Sequence, residues 1–265
     1  MVWPPVWPLH RPGRRRFARI VLEGPIAGAA RRRTLRALEQ VARRCCTGLL
    51  LRIDSPGGTV GDSQEIHQAL RRLRQDGCHI VASYGNISAS GGVYVGSAAE
   101  RVVANPGTIT GSIGVILRGN NLEELLRRVG VRFETIKSGP YKDILSPDRP
   151  LTGEERSLLQ DLIDSSYDQF VAAVAEGRGL TPERVRSFAD GRVFSGAQAL
   201  ELGLVDLLGD EETARLELAR LAGVAPDRCR PHTLGQPRRG LLGRLRQELA
   251  VTFGMAGQPL WLFRP

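Results

Sequence analysis

The sequence predicts an α/β fold in which helices cover the sheets, and three observations lead to it. Between Phe17 and Ala222, short β-branched runs alternate with segments whose apolar residues recur at helical spacing. The chain has 265 residues, 42% of them hydrophobic and 25% charged, which suits one large domain with its own core. Glycine-rich connections follow several of the predicted strands, as they do at the strand ends of α/β proteins.

Apolar and β-branched runs bounded by turn residues predict the strands. They are 17–24, 48–54, 79–85, 101–105, 113–117 and 131–137. Apolar spacing predicts the helices, and two of them also begin with a cap: Thr152 with Glu155 three residues later, and Thr181 before Pro182. The helices are 31–45, 60–75, 89–98, 121–129, 152–176, 181–188, 195–202 and 210–221.

Segments rich in proline, glycine and arginine flank this core and divide the chain into three parts. Residues 1–16 are predicted to be a flexible, basic, proline-rich arm, and residues 17–225 the folded domain. Residues 226–265 are predicted to be a basic linker and an amphipathic tail, in which 240–253 suits a helix that docks on protein or lies at a membrane surface. No apolar stretch approaches the roughly 20 residues that a membrane-spanning helix needs.

The formal net charge is +9, and it comes mainly from arginine. The arginines are scattered along the chain and aromatic residues are only 5%, so the basic and aromatic residues do not interleave as they do in a nucleic-acid platform. Two interpretations of the positive charge remain: a solvated basic surface, or a basic surface that contacts an anionic membrane.

The four cysteines, Cys45, Cys46, Cys78 and Cys229, form neither CxxC pairs nor a dense disulfide pattern. No histidine stands at ligand spacing from any of them, so a metal site is not predicted. We expect all four thiols to be core residues.

The first chemistry-bearing segment is DSPGGTV, residues 54–60, which follows an apolar strand. Pro56 fixes one turn dihedral, and Gly57 and Gly58 allow a backbone whose N–H groups point outward. Such N–H groups can bind a developing oxyanion. An ordinary strand-to-helix turn would have the same sequence.

The second segment is NISASGGVYVG, residues 86–96, with Ser90 surrounded by small residues. At the start of a helix, the Ser90 hydroxyl would lie at the positive end of the helix dipole, with the Gly91 N–H free to donate. The alternative is a serine that only caps the helix. A third glycine-rich turn, at 105–114, carries Ser112.

A nucleophilic serine needs a base, and the sequence offers no suitable histidine. None of the four histidines follows the serine loop within the core, and there is no GxSxG motif. The lysines stand out in this arginine-rich chain: Lys137 and Lys142 both lie in TIKSGPYKDILSP, and a desolvated lysine can act as a base where arginine cannot. A surface loop with two charges is the alternative.

Four stretches together closely resemble the signal peptide peptidase A (protease IV) family of Ser–Lys peptidases. They are DSPGG, ASGGVYVGSAAERVVANPGTITGSIGVI, IKSGPYKDILSP and ADGRVFSGAQALELGLVD. The resemblance runs in unbroken order over about 17–222 and implies a crotonase/Clp-protease-like fold of repeated β-β-α units with a helical C-terminal part. The chain departs from the family in having GGVY where GGYY is usual. Most members carry an N-terminal membrane anchor, and none is predicted here before the first strand at about Phe17.

The resemblance implies a role for each candidate residue. Ser90 would be the nucleophile, Lys142 the general base and Ser112 the residue that orients the lysine amine. Gly57 or Gly58, with the N–H of Gly91, would form the oxyanion hole. It also implies a homo-oligomeric ring, with the dyad formed within one subunit or between neighbours.

The sequence thus predicts a serine endopeptidase that cleaves apolar peptides, such as remnant signal peptides or membrane-associated protein fragments. No metal, nucleotide or other cofactor is expected, nor any nucleic-acid partner. The protein would be soluble or would contact an anionic membrane peripherally. A crotonase-type acyl-CoA enzyme and a non-catalytic ring scaffold are the alternatives, and fluorophosphonate labelling of Ser90 would distinguish the peptidase from both.

Overall fold

Ten strands and eight helices are described in a computed structural model that covers residues 15–235 and the backbone of 260–262. The strands are β1 (Phe17–Glu23), β2 (Gly48–Ser55), β3 (Gly57–Thr59), β4 (His79–Ala89), β5 (Arg101–Ala104), β6 (Ile109–Gly111), β7 (Val193–Ser195), β8 (Leu207–Leu208), β9 (His232–Leu234) and β10 (Leu260–Leu262). The helices are α1 (Gly28–Arg43), α2 (Val60–Gln75), α3 (Gly91–Gly96), α4 (Glu123–Arg128), α5 (Gly153–Arg178), α6 (Pro182–Arg186), α7 (Gly196–Glu201) and α8 (Glu211–Leu221).

A mostly parallel sheet forms the centre of the domain, with β9, β1, β2 and β4 side by side. The long strand β4 pairs along its first half with β5 and along its second half with β6. β8 continues the sheet beyond β5, and β7 pairs antiparallel with β6. The predicted α/β fold is therefore confirmed.

Helices pack on both faces of this sheet, which is why β2 is a nearly continuous apolar run. Leu49 and Leu51 point into the core cluster that α1, α2, α3 and α5 cover, whereas Leu50 points to the opposite face, into the cluster around α8. This alternation follows from the two-residue period of a strand.

The carboxyl ends of β2, β4 and β6 lie together at one edge of the sheet, where ligands bind in open α/β folds. The β2–β4 register shifts at this edge: Ile53 pairs with Tyr84, but Ser55 pairs with Ser88. The Asp54 carboxylate fills the irregularity by accepting a hydrogen bond from the Ile87 N–H at 3.1 Å. The last residues of β4, which lead to Ser90, therefore follow this irregularity.

Several predicted elements are confirmed and others are wrong. Thr152 and Thr181 cap α5 and α6 as predicted, the first with a full capping box to Glu155. The predicted helix 89–98 is shorter, because β4 continues through Ala89 and α3 ends at Gly96. No strand forms over 113–117 or 131–137, and the short strand in this region is β6.

Residues 116–150, which we call the arm, connect the sheet to α5 and are largely exposed. The arm contains one short helix, α4. Many of the arm's exposed side chains are apolar. The large exposed hydrophobic residues of the arm are Ile116, Leu122, Leu125, Val129, Val131, Phe133, Ile136 and Tyr141. In the described part of the chain, the β-branched residues of 131–137 pair with no strand, and Ile116 forms only an isolated bridge.

The two ends of the chain are only partly described. The predicted N-terminal arm, apart from Arg15 and Arg16, and the predicted helix over 240–253 lie outside the described residues. Within residues 226–265, which were predicted as a basic linker and an amphipathic tail, β9 pairs with β1, and β10 pairs with β3.

Three of the four cysteines are buried as predicted, and Cys45 is not. α1 ends at Arg43, and Cys45 is exposed with a positive φ of 48°. Cys46, Cys78 and Cys229 are buried, and burial raises the pKa of each thiol, that of Cys78 to about 12.

Candidate active site

Ser90 lies between the end of β4 and the start of α3 in an unusual backbone conformation. Its φ of 53° and ψ of −116° lie in a region that costs a non-glycine residue roughly 1–3 kcal/mol. The Ser90 N–H donates to the Gly111 carbonyl at 2.8 Å, and the Ser90 carbonyl accepts from the Tyr94 N–H at 3.0 Å. Contacts to β6 and α3 thus hold the strained turn.

The Ser90 hydroxyl does not cap α3. A capping oxygen would accept a hydrogen bond from the first turn of the helix, but Ser90 Oγ is buried and has no hydrogen-bond partner in the described chain. A buried, unsatisfied hydroxyl costs about 1–3 kcal/mol. Because α3 has only six residues, its dipole is small, and the individual N–H groups near Ser90 matter more.

Gly57 and Gly58 occupy different environments, which distinguishes the two. Gly57 has a φ of 102°, and its N–H already donates to Ser55 Oγ at 3.1 Å. A Cβ on Gly58 would lie 1.8 Å from the Ile26 carbonyl oxygen, so this position requires glycine. The Gly58 nitrogen lies 3.1 Å from where a Cβ on Gly91 would be. The backbone of Gly58 therefore lies directly against the residue that follows Ser90.

Ser63 is a neighbour of these glycines that the sequence analysis missed. Its hydroxyl is buried, donates to the Thr59 carbonyl at 2.9 Å and lies 2.7 Å from a Cβ built on Gly91. The hydroxyl therefore joins the first turn of α2 to the start of α3. The spacing of Thr59 and Ser63, four residues apart across a helix start, is the sequence signal that could have indicated it.

Ser112 directly follows Gly111, the residue whose carbonyl is hydrogen-bonded to Ser90. The Gly111 carbonyl accepts the Ser90 N–H, and the Ser112 N–H donates to the Arg192 carbonyl at 2.7 Å. Ser112 is half-buried and has a positive φ of 52°. The turn after β6 is thus joined to the Ser90 turn by the Ser90–Gly111 hydrogen bond.

Both lysines lie in the arm, and their surroundings differ. Lys137 Nζ donates to Asp143 at 2.6 Å and to the Pro140 carbonyl at 3.0 Å. Lys142 is exposed, and its ammonium has no partner among the described residues. Because Ser90 Oγ has no hydrogen-bond partner, the described chain does not bring Ser90 and Lys142 into contact.

Charged side chains order the end of the arm around Arg149. Its guanidinium donates to Asp143 at 2.8 Å and to Glu155 at 2.5 Å. These hydrogen bonds hold the pKa of Asp143 well below its usual range and lower the pKa of Glu155 to about 2. Both carboxylates are therefore ionised at neutral pH and anchor the segment next to Lys142 to the start of α5.

No histidine of the described residues hydrogen-bonds to Ser90. His67 on α2 packs against Tyr94 of α3 with ring centroids 4.8 Å apart. Burial, with the neighbouring charges of Arg71 and Arg74, lowers the pKa of His67 to about 4. His67 is neutral at pH 7 and acts as a packing residue behind α3.

Two further features bear on the site. In residues 15–235 and 260–262, no helix is both long and apolar enough to cross a membrane. A cavity of about 440 Å³, lined by His67, Arg71, Cys78, Glu100 and Glu176 among others, lies beside α2 and does not include Ser90.

Comparisons with known proteins find relatives that are named as proteases. The chain is 53% identical to a Synechocystis protein named as a protease, over 98% of this chain and the full length of that protein. It is 41% identical to an Enterococcus faecium protein named signal peptide peptidase SppA, over 63% of this chain and 48% of that one, so it spans about half of that relative.

The fold is also found in a solved structure. A ClpP1 mutant from Listeria monocytogenes matches 72% of this chain and 91% of its own with a TM-score of 0.51 at 16% identity, which confirms the predicted Clp-protease-like fold. The sequence profile of peptidase family S49 matches residues 72–225, a range that contains Ser90, Ser112 and Lys142. Together with the relatives, this match shows that the chain belongs to peptidase family S49.

Proposed function

We propose that this protein is a serine endopeptidase in which Ser90 is the nucleophile. One observation carries the proposal: the Ser90 hydroxyl is buried without a hydrogen-bond partner in a strained turn, directly beside the Gly58 backbone. Strain and an unsatisfied hydroxyl both cost stability, and such costs are typical of functional sites.

The Gly58 and Gly91 N–H groups would form the oxyanion hole. Gly58 is favoured over Gly57 because the Gly57 N–H is already donated to Ser55. The short approach between the Gly58 nitrogen and Gly91 would let both N–H groups reach one oxygen atom. Donors fixed in place before the reaction stabilise a developing oxyanion strongly, because they need no reorganisation.

Lys142 would be the general base, supplied by a neighbouring subunit. Its ammonium has no partner within the described chain, whereas Lys137 is paired with Asp143. The arm exposes apolar side chains that a second copy of the chain would cover. Covering the arm would also remove water from Lys142, which favours the neutral amine that a base requires.

In this mechanism, neutral Lys142 accepts the proton of the Ser90 hydroxyl as Oγ forms a bond with the substrate carbonyl carbon. The carbonyl oxygen becomes negative and is held by the two N–H groups. As the intermediate collapses, the carbon–nitrogen bond breaks and the Lys142 ammonium returns its proton to the leaving amine. Water then attacks the acyl-enzyme in the same way and regenerates Ser90. Ser112 would orient the lysine amine by hydrogen bonding.

We propose apolar peptides as substrates, such as remnant signal peptides or fragments of membrane-associated proteins. The name of the Enterococcus faecium relative supports this class. Membrane contact would be peripheral and electrostatic, in line with the net charge of +9. High salt should then release the protein from anionic vesicles, and retention in high salt would contradict this assignment.

The decisive experiment combines two inactive variants. Ser90→Ala and Lys142→Ala should each abolish hydrolysis of casein and of a signal peptide, whereas Lys137→Ala should retain it. When the two inactive variants are unfolded and refolded together, activity should return, because some junctions then pair an intact Ser90 with an intact Lys142. Retained activity in Ser90→Ala would refute the nucleophile assignment. Inactive mixtures, with subunit exchange verified by mass spectrometry, would place both residues in one chain.

A further inference from the structure

Lys142 lies between two contacts to the first turn of α5. The hydroxyl of the residue before it, Tyr141, donates a hydrogen bond to the Glu154 carboxylate. The residue after it, Asp143, is linked to the same turn through Arg149. Lys142 itself is exposed. The proposed base is therefore an exposed side chain on a segment that is held on both sides.

Arg149 uses all three nitrogens of its guanidinium to make the second contact. Nε donates to Asp143 Oδ2 at 3.1 Å, and Nη2 donates to Asp143 Oδ1 at 2.8 Å. Nη1 and Nη2 donate to the two carboxylate oxygens of Glu155 at 2.8 and 2.5 Å. One guanidinium thus binds two carboxylates, each through two hydrogen bonds. The planar fork of arginine permits this arrangement, whereas the ammonium of lysine does not.

Glu155 is the fixed end of this link. Its side chain is buried, and its carboxylate also accepts the Thr152 N–H at 2.9 Å in the capping box of α5. A buried, ionised carboxylate requires a cationic or hydrogen-bonding partner, and Arg149 supplies the cation. The link from Asp143 therefore ends on the ordered start of α5 and not on another part of the arm.

Lys137 also contacts Asp143 but does not make the same link. Its ammonium donates to Asp143 at 2.6 Å and to the Pro140 carbonyl at 3.0 Å. Both acceptors lie in the arm, so Lys137 does not attach the segment around Lys142 to the rest of the domain.

We propose that Arg149 is a positioning residue that holds Lys142 where the Ser90 of a neighbouring subunit can meet it. This inference rests on the proposed function and adds a residue that acts through Lys142 without touching substrate. A base that is supplied across a subunit junction has to be ordered by its own chain before it meets its partner. A misplacement of about 1 Å in a catalytic group can lower the rate about 10²-fold.

Arg149→Gln should lower kcat for an apolar peptide about 10²-fold and leave KM unchanged, because Arg149 orders the base and does not bind substrate. Arg149→Lys keeps the charge but not the paired hydrogen bonds, so its kcat should also fall. Arg71→Gln is the matched control, since it removes a bidentate ion pair with Glu176 at the other end of α5 and should keep the wild-type kcat. A folded Arg149→Gln protein with a kcat within about threefold of the wild type would refute the positioning role.

Two variants separate the link from the helix cap. In Glu155→Gln, the new side chain can still accept the Thr152 N–H in a capping box, but it forms no ion pair with Arg149. Thr152→Ala loses the capping hydroxyl and keeps the Arg149–Glu155 ion pair. Glu155→Gln should therefore lower kcat more than Thr152→Ala does. An equal loss of kcat in both variants would indicate that the start of α5 acts only through its stability, and would refute the role of the link.

Hydrogen exchange separates this inference from the catalytic proposal, because it uses Ser90→Ala protein. Three backbone hydrogen bonds within 139–146 protect amides around the proposed base, and their donors are the N–H groups of Lys142, Ile144 and Ser146. Adding Arg149→Gln should speed exchange at these amides, whereas adding Arg71→Gln should not. Unchanged exchange would refute the link even if Lys142 proves to be the base. Retained activity in Lys142→Ala would instead refute the catalytic proposal, whatever the exchange rates show.

Discussion

Adding one methyl group at Gly58 should separate catalysis from folding. In Gly58→Ala, the new Cβ would lie 1.8 Å from the Ile26 carbonyl oxygen, a backbone atom that cannot rotate away. Real Cβ atoms essentially never come closer than 3.0 Å, so β3 and Ile26 must move apart by at least about 1.2 Å. Overpacking of this kind costs about 1–3 kcal/mol of stability.

The same displacement moves the proposed oxyanion donor away from its target. Loss of one such donor lowers kcat by about 10²–10³-fold. The assay is steady-state cleavage of a peptide substrate, with the rate of fluorophosphonate labelling at Ser90 as a second measure. Thermal unfolding in the same buffer sets a temperature at which the variant is folded.

Gly61→Ala is the matched control, three residues away on the first turn of α2. No atom lies within 4 Å of a Cβ at this position, and alanine is a better helix former than glycine by about 1 kcal/mol. This variant should be at least as stable as the wild type and should keep its kcat. A folded Gly58→Ala protein with a kcat within about threefold of the wild type would refute the placement of the oxyanion hole.

Three further variants test the site and its support. Lys142→Arg should be inactive in the peptide-cleavage assay, because a guanidinium keeps its proton near neutral pH. Ser112→Ala should lower kcat but leave measurable activity, since it removes only an orienting hydrogen bond, and an unchanged kcat would reduce Ser112 to a turn residue. His67 titrates near 6.5 when unfolded and near 4 when folded, so the unfolded state binds more protons between these values. The free energy of unfolding should therefore fall as the pH drops from about 7 to 4, by roughly 2 kcal/mol at about pH 5. Urea titrations should show a flatter profile in His67→Gln, and an unaltered slope would contradict the assignment of this pH dependence to His67.

The central elements could be predicted from the sequence because their patterns are strong and local. α2 has the predicted bounds, and β2 and β4 begin at the predicted residues, since apolar spacing and turn residues define them. β3 was missed because it consists of Gly-Gly-Thr, which has low strand propensity and is a strand only through pairing with distant residues. The β-branched residues of 131–137 led to the opposite error, because strand propensity without a partner strand does not produce a strand.

Candidate site residues could be selected from the sequence, but their environments could not. The small residues around Ser90 indicated a serine that substrate can approach. They did not reveal its positive φ, which goes with a backbone hydrogen bond to the distant Gly111, or its unpartnered hydroxyl. The choice between Gly57 and Gly58 also needed coordinates, because it depends on a hydrogen bond to Ser55. Sequence composition drew attention to both Lys137 and Lys142. The structure distinguishes them, because Lys137 forms an ion pair with Asp143.

The exposure of Cys45 provides a native attachment point for a spectroscopic probe. The thiolate is the reactive form of cysteine, and the other three thiols are both buried and shifted to higher pKa by that burial. A maleimide dye should therefore react first at Cys45, just beyond the end of α1, without any mutation of the chain. Counting the bleaching steps of single labelled particles would then give the number of subunits in each assembly.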